Sequence, residues 1–240
     1  QAGLLDLPLL QAADAQGETL AQALERIGGA PHDIDSARRT PGSVAAFVEL
    51  HIEQGPVLEQ EGLAIGAVTH IVGIHRVEIT VTGQPDHAGT TPMHLRHDAL
   101  AGAAAIVTLA HHRALALSQP GRYVVATVGR LALEPNATNT VPGRVRMSLE
   151  VRSDDPQVLR TFVDELLQAT AGEMQRCRVT AAARTLTQTQ PTQADERVIA
   201  AIEQAARRHG HAHRRMPSGA GHDAVPMARL APMGMVFIPC

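Results

Sequence analysis

Two stretches of the chain alternate strictly between apolar and polar positions. Arg76-Val77-Glu78-Ile79-Thr80-Val81-Thr82 and Arg144 to Arg152 each turn every second side chain to one face, the pattern of half-buried strands. Between them, an Ala-rich stretch from Arg96 to Leu117, closed by Pro120-Gly121, predicts a long helix. Tyr123 to Leu131 reads as a strand, and Asn136 to Gly143 as a turn region. Asp155-Pro156 opens a second helix that runs to about Gly172, and Arg176 to Thr185 supplies a last strand. The order strand–helix–strand–strand–helix–strand predicts a ferredoxin-like βαββαβ sandwich over residues 73–185, with an antiparallel four-stranded sheet and both helices on one face.

The flanks differ in character. Leu20 to Ile27 is an apolar-periodic helix ended by Gly28-Gly29; Ala45 to Ile52 and Gly66 to Ile74 are strand-like. Pro191 to Gln193 reads as a linker, followed by a helix from Asp195 to Gly210. Residues 1–72 and 186–240 are therefore expected to form one interrupted α/β domain into which the ferredoxin-like domain is inserted. The chain has no initiator Met and stops in an apolar, strand-like run, Met235 to Cys240, so a piece of a longer chain is expected.

Composition narrows the function classes. With 44% hydrophobic and 19% charged residues in 240, the chain belongs with globular proteins rather than disordered ones. The longest apolar run, Ala99 to Ala110, is interrupted by Gly102 and Thr108 and is too short to span a bilayer, so no membrane partner is expected. A net charge of -3 and only four aromatic residues argue against a nucleic-acid groove. Two cysteines, Cys177 and Cys240, make no disulfide framework, which fits a cytoplasmic location. All 21 basic residues are arginine, which excludes lysine Schiff-base chemistry, while 13 histidines leave room for metal or proton-transfer work.

Four segments could carry chemistry. His51-Ile52-Glu53-Gln54-Gly55 puts an imidazole at a strand end beside a turn, with His51 and Glu53 expected on one side; His51 is either a metal ligand or a hydrogen-bonded structural histidine. In Gln84 to Met93, His87 lies in a Gly- and Thr-rich loop and could donate to a developing oxyanion. The alternative there is a turn in which Asp86 and Thr90 cap the next helix. Asn136 to Gly143 leads into the strand ending at Arg152, which shares its face with Arg144, Arg146 and Glu150 and reads by itself as part of a solvated face. Pro217-Ser218-Gly219-Ala220-Gly221-His222-Asp223-Ala224 is a small-residue loop without the lysine of a P-loop.

Taken together and in this order, Glu49 to Glu59, Asp86 to Met93 with Arg96 and Asp98, Asn139 to Gly143, and Pro217 to Ala224 resemble the zinc-dependent amidohydrolases. That family includes N-carbamoyl-L-amino acid hydrolase, allantoate amidohydrolase and β-ureidopropionase, within the aminoacylase and carboxypeptidase superfamily. The resemblance implies two zinc ions, with manganese, cobalt or nickel as substitutes, and His51 as a metal ligand. It implies that His87 is a lid histidine that reaches a partner subunit's site, and that Gln54, Asn139 and Arg152 hold a small carboxylate substrate with a ureido or amide group. Gly219 and His222 would line the substrate pocket, and the ferredoxin-like domain would form a homodimer. The family's His-x-Asp motif, bridging Asp, Glu-Glu pair and C-terminal Ser-His have no counterpart in this sequence. With His51 as its one recognised ligand, the isolated chain is expected to hold no zinc tightly and to be inactive.

Overall fold

The computed structural model describes residues 7–240. The chain divides into two compact units: one from His70 to Thr192, the other from the segments ending at Thr69 and starting at Gln193.

The discontinuous unit begins with α1 (Leu7–Leu10), α2 (Leu20–Arg26), β1 (Phe47–Ile52), α3 (Val57–Glu61) and β2 (Ile65–Ile71). Thr19 and Gln22 close a reciprocal capping box on α2. The middle unit follows with β3 (Gly73–Thr82), β4 (Asp86–His87), α4 (Ala99–Leu117), β5 (Val124–Glu134), β6 (Thr140–Val141), β7 (Arg144–Ser153), α5 (Pro156–Cys177) and β8 (Thr180–Gln188). The chain then returns through β9 (Thr192–Gln193), α6 (Glu196–Arg208), β10 (His213–Ser218), α7 (Ala224–Met227) and β11 (Met233–Ile238).

In the middle unit the sheet order is β5-β7-β3-β8 and all three pairings are antiparallel. This is the ferredoxin-like arrangement: the first and third long strands lie at the centre, and the second and fourth form the edges. Alternation decides the faces. Val77, Ile79 and Val81 of β3 and Val145, Met147, Leu149 and Val151 of β7 are buried in one core with Ile106 of α4 and Phe162 and Leu166 of α5. Each such side chain contributes roughly 1.5–3 kcal/mol by leaving water. Both helices therefore lie on that face, and Arg76, Glu78, Arg146, Glu150 and Arg152 lie on the other.

Several boundaries differ from the sequence expectation for local reasons. The helix expected from Arg96 starts at Ala99, because the Asp98 carboxylate caps it by accepting from the Leu100 and Ala101 N–H groups. At 19 residues α4 outruns the apolar run from Ala99 to Ala110, and by length and composition alone it could cross a membrane. Its stripe of Ala99, Gly102, Ala103, Ile106, Ala110 and Ala114 is instead buried on the sheet. Gly172 does not stop α5, since one helical glycine costs only about 1 kcal/mol and Met174 is buried just beyond it. The helix ends at Cys177, with Arg178 in the left-handed conformation, so β8 starts at Thr180 and not at Arg176.

In the other unit, β1 and β11 pair in parallel with His51 opposite Phe237, and β11 pairs antiparallel with β2. Among the described residues the order β1-β11-β2-β10 leaves β1 at an edge, and β9 adds to β2. Helix α6 packs against this sheet through Val198, Ile199 and Ile202.

Candidate metal and substrate site

Residues of β1 alternate in exposure: Phe47, Glu49 and His51 are half-buried on one side, while Val48, Leu50 and Ile52 are exposed on the other. The period of two thus puts Glu49 and His51 together. The loop after β10 brings a third group to them. His222 packs edge-on against His51 with ring centroids 4.7 Å apart, and its ring lies 5.6 Å from that of Phe237. One ligand-type atom from each of Glu49, His51 and His222 lies within 4.8 Å of the other two.

Hydrogen bonds fix each member. His51 Nδ1 lies 2.8 Å from the Ile52 carbonyl oxygen; because a carbonyl only accepts, Nδ1 carries the hydrogen and Nε2 is left bare. Glu49 Oε2 accepts from the Ala224 N–H at 2.8 Å, and Oε1 sits 3.6 Å from His222 Nδ1. On its far side, His222 Nε2 is 2.7 Å from Ser218 Oγ. Burial pushes the His222 imidazole below its usual pKa, His51 pushes it the same way, and Glu49 and Asp223 pull it partly back up. A divalent cation with nitrogen and oxygen preferences fits this donor set, starting from the bare Nε2 of His51.

Glu53 does not join them. Strand β1 ends at Ile52, and the Glu53 carboxylate turns inward to accept from the N–H groups of Val57 (2.9 Å) and Leu58 (2.7 Å), capping α3. The expectation that His51 and Glu53 share a side fails because the capping demand ends the strand. Gln54 follows with φ 57°, a left-handed backbone that a non-glycine residue adopts at a cost of about 1–2 kcal/mol, and its side chain is exposed. Gly219 lies within the turn that Ser218 holds through Ala220.

In the middle unit, His87 sits on β4, paired with Thr140 of β6. Asp86 and Thr90 cap no helix there; Asp98 does that work. The loop is instead held by close backbone approaches. A Cβ on Gly83 would lie 2.0 Å from the His97 carbonyl oxygen, and one on Gly143 would lie 2.5 Å from Pro85 Cδ. Half-buried Arg96 donates to the carbonyls of Thr91 (3.0 Å) and Ala88 (2.6 Å). His87 Nδ1 accepts from the N–H groups of Gly89 (3.0 Å) and Thr90 (3.2 Å), so in the neutral ring the hydrogen is on Nε2, and that N–H is the atom the exposed ring can offer. Asn139 belongs to the same end of the sheet, its carbonyl accepting from the Ala88 N–H at 2.9 Å.

Arg152 does not. It lies at the opposite end of β7, facing Ile74 and Val125, with its Nε donating to Glu150 at 2.7 Å. Eight residue steps from Arg144 to Arg152 amount to about 26 Å of strand. A single chain therefore brings His87 and Asn139 together and holds Arg152 apart from them. Glu49 is the residue that sequence reasoning passed over, and its signal was available: it stands two before His51 in an alternating strand.

Residues 14–240 match the model of peptidase family M20/M25/M40. The chain is 38% identical over 239 residues to an N-carbamoyl-L-amino-acid amidohydrolase of Paenarthrobacter aurescens, covering 99% of this chain and 57% of that protein. It is 36% identical over 226 residues to an allantoate amidohydrolase of Bacillus subtilis (strain 168), covering 94% of this chain and 54% of the relative. A crystal structure of an amidase of the hydantoinase/carbamoylase family from Burkholderia multivorans superposes with a TM-score of 0.86 at 38% identity, over 100% of this chain and 57% of that one. The chain thus spans about half the length of these relatives. A mixed α/β fold that matches along its whole length, with a metal-type cluster shared by β1 and the loop after β10, leads to one conclusion: the chain belongs to peptidase family M20/M25/M40.

Proposed function

We propose that the whole protein hydrolyses a linear ureido or amide C–N bond in a small carboxylate substrate, an N-carbamoyl-L-amino acid first and allantoate second. The likeness to an N-carbamoyl-L-amino-acid amidohydrolase over 99% of the chain carries this reading. For the chain by itself, at 57% of that relative's length, the second reading is a non-catalytic dimerisation and substrate-binding module.

Zinc, when bound, supplies a Lewis acid and a water acidic enough to attack at neutral pH. His51 would hold it through Nε2. The Nε2–H of His87 donates to the oxyanion that forms as the carbonyl carbon becomes tetrahedral, because its Nδ1 is occupied by two backbone N–H groups. Arg152 offers its planar fork to the substrate carboxylate, and Gln54 and Asn139 supply amide contacts. Gly219 and His222 line the pocket.

The separation along β7 bears on assembly. One small substrate cannot touch Asn139 and Arg152 of the same lid, so two lids contribute to each site, one giving His87 and Asn139 and the other Arg152. A homodimer satisfies this, and β5 and β8, as edge strands, carry the unpaired backbone groups through which sheets join. Mixed dimers of the whole protein test the arrangement. His87→Ala chains combined with Arg152→Ala chains should recover activity, because one of the two sites is then intact. His87→Ala combined with Asn139→Ala should not, because every site receives one damaged loop. Equal recovery in both mixtures, or in neither, refutes the division.

A further inference from the structure

We propose that Glu150 is a positioning residue for substrate binding: it holds the Arg152 guanidinium in place, and Arg76 in turn holds Glu150. The role rests on the reading of Arg152 as the anchor of the substrate carboxylate, and it gives that anchor a built support.

Strand geometry makes the arrangement. Glu150 and Arg152 are two residues apart on β7, so both side chains stand on the open face of the sheet, and Arg76 of β3 lies directly opposite Glu150. The Glu150 carboxylate divides its two oxygens between them. Oε1 accepts from Arg152 Nε at 2.7 Å and meets Nη2 of the same group. Oε2 accepts from Arg76 Nε at 2.7 Å and from its Nη2. Each guanidinium thus presents its Nε–Nη2 edge to one oxygen, and a planar group held along an edge has its plane and direction fixed.

Exposure separates this cluster from other ion pairs of the same face. The side chains of Glu150 and Arg152 are 20% and 27% exposed. Those of the Arg146–Glu134 and Arg184–Glu78 pairs, joined by hydrogen bonds of 3.0 Å, are 37–70% exposed. Water screens such open pairs until they order little, whereas Glu150 is sheltered enough for its contacts to hold a partner still.

An arginine side chain has many rotamers, and ordering them as the substrate arrives subtracts from its binding; ordering them beforehand removes that loss. With the Nε–Nη2 edge given to Glu150, a substrate carboxylate would take the Nη1–Nη2 end, which lies in the same plane. Two carboxylates on one guanidinium repel each other, and Arg76 offsets this by neutralising Glu150 from its other side. Arg152 touches the substrate, Glu150 orients Arg152, and Arg76 tempers the charge of Glu150.

The test uses the whole protein and N-carbamoyl-L-alanine, comparing the unmodified enzyme with Glu150→Gln, Arg152→Ala and the double variant. Glutamine keeps the shape of glutamate but turns an NH2 group toward one of the two guanidiniums. Glu150→Gln should raise KM by roughly tenfold, the effect of one lost charge-assisted hydrogen bond, with kcat changed by less than about twofold. In the Arg152→Ala background it should do nothing more, because the group it orients is gone. Where a variant cannot be saturated, kcat/KM from the low-substrate range closes the cycle. Arg76→Gln should act in the same direction by a smaller factor, and only while Arg152 is present. Urea denaturation checks that each variant is folded. A merely structural Glu150 would lower kcat/KM by the same factor in both backgrounds, and that result overturns the inference. So does a KM raised in Arg152→Ala and unchanged in Glu150→Gln, which leaves Arg152 standing as the anchor. An unchanged KM in Arg152→Ala removes the anchor and overturns both readings.

Discussion

At the scale of single residues, position in an element decided chemistry more than residue type did. Glu49 and Glu53 flank the same histidine in one short motif, and a period of two would treat them alike. Glu49 faces His222, while Glu53, 9% exposed, satisfies two N–H groups at the start of α3. Glu53→Ala should therefore cost about 1–2 kcal/mol of stability, read as a lower urea midpoint at unchanged slope. An unchanged midpoint would mean that water replaces the cap at no cost. The roles proposed for His87 and Arg152 also divide by chemistry. In the whole protein, His87→Ala should lower kcat by roughly 10²–10³-fold, the loss expected for one oxyanion donor. Arg152→Ala should act mainly on KM, since a carboxylate anchor holds ground state and transition state alike. Steady-state kinetics that found the two effects interchanged would reverse the roles.

At the scale of elements, the open face of the ferredoxin-like sheet is organised by cross-strand charge. Arg76 of β3 stands directly opposite Glu150 of β7 and forms an ion pair with it, and Arg152, two residues along, adds a second. Burial alone would raise the Glu150 pKa, but hydrogen bonds from Arg152 and Arg76 and their charges prevail and hold it below the usual carboxylate range. A depressed carboxylate contributes stability that is present above its unfolded pKa and is lost as pH falls through the folded value. Glu150→Gln should thus be less stable at neutral pH by about 1–2 kcal/mol and show a shallower loss below about pH 4.3. Urea denaturation at stepped pH reads both; parallel curves for the two proteins would assign the acid sensitivity to other carboxylates. The same strands explain why sequence reading of this region succeeded. Strict alternation in β3 and β7, an Ala-rich helix and an Asp-Pro start are local signals, and they agree with one another. Boundaries erred where side chains reached outside the pattern: Asp98 capping α4, and Met174 drawing α5 past Gly172.

At the scale of the whole molecule, the sequence by itself determined the order of the long elements in the ferredoxin-like unit, and the family. These rest on hydrophobic period and on contiguous motifs, both properties of neighbouring residues. His51, His87 and the small-residue loop at His222 were likewise legible as candidate positions for chemistry. Proximity was not. That Glu49 and His222 meet across 173 positions depends on the parallel pairing of β1 with β11 and on the turn after β10. That Asn139 and Arg152, only thirteen apart, lie at opposite ends of the sheet depends on the strand between them being extended, at about 3.3 Å per residue. Distance along the chain and distance in space are related by the conformation of what lies between, and tertiary packing alone decides which distant segments converge.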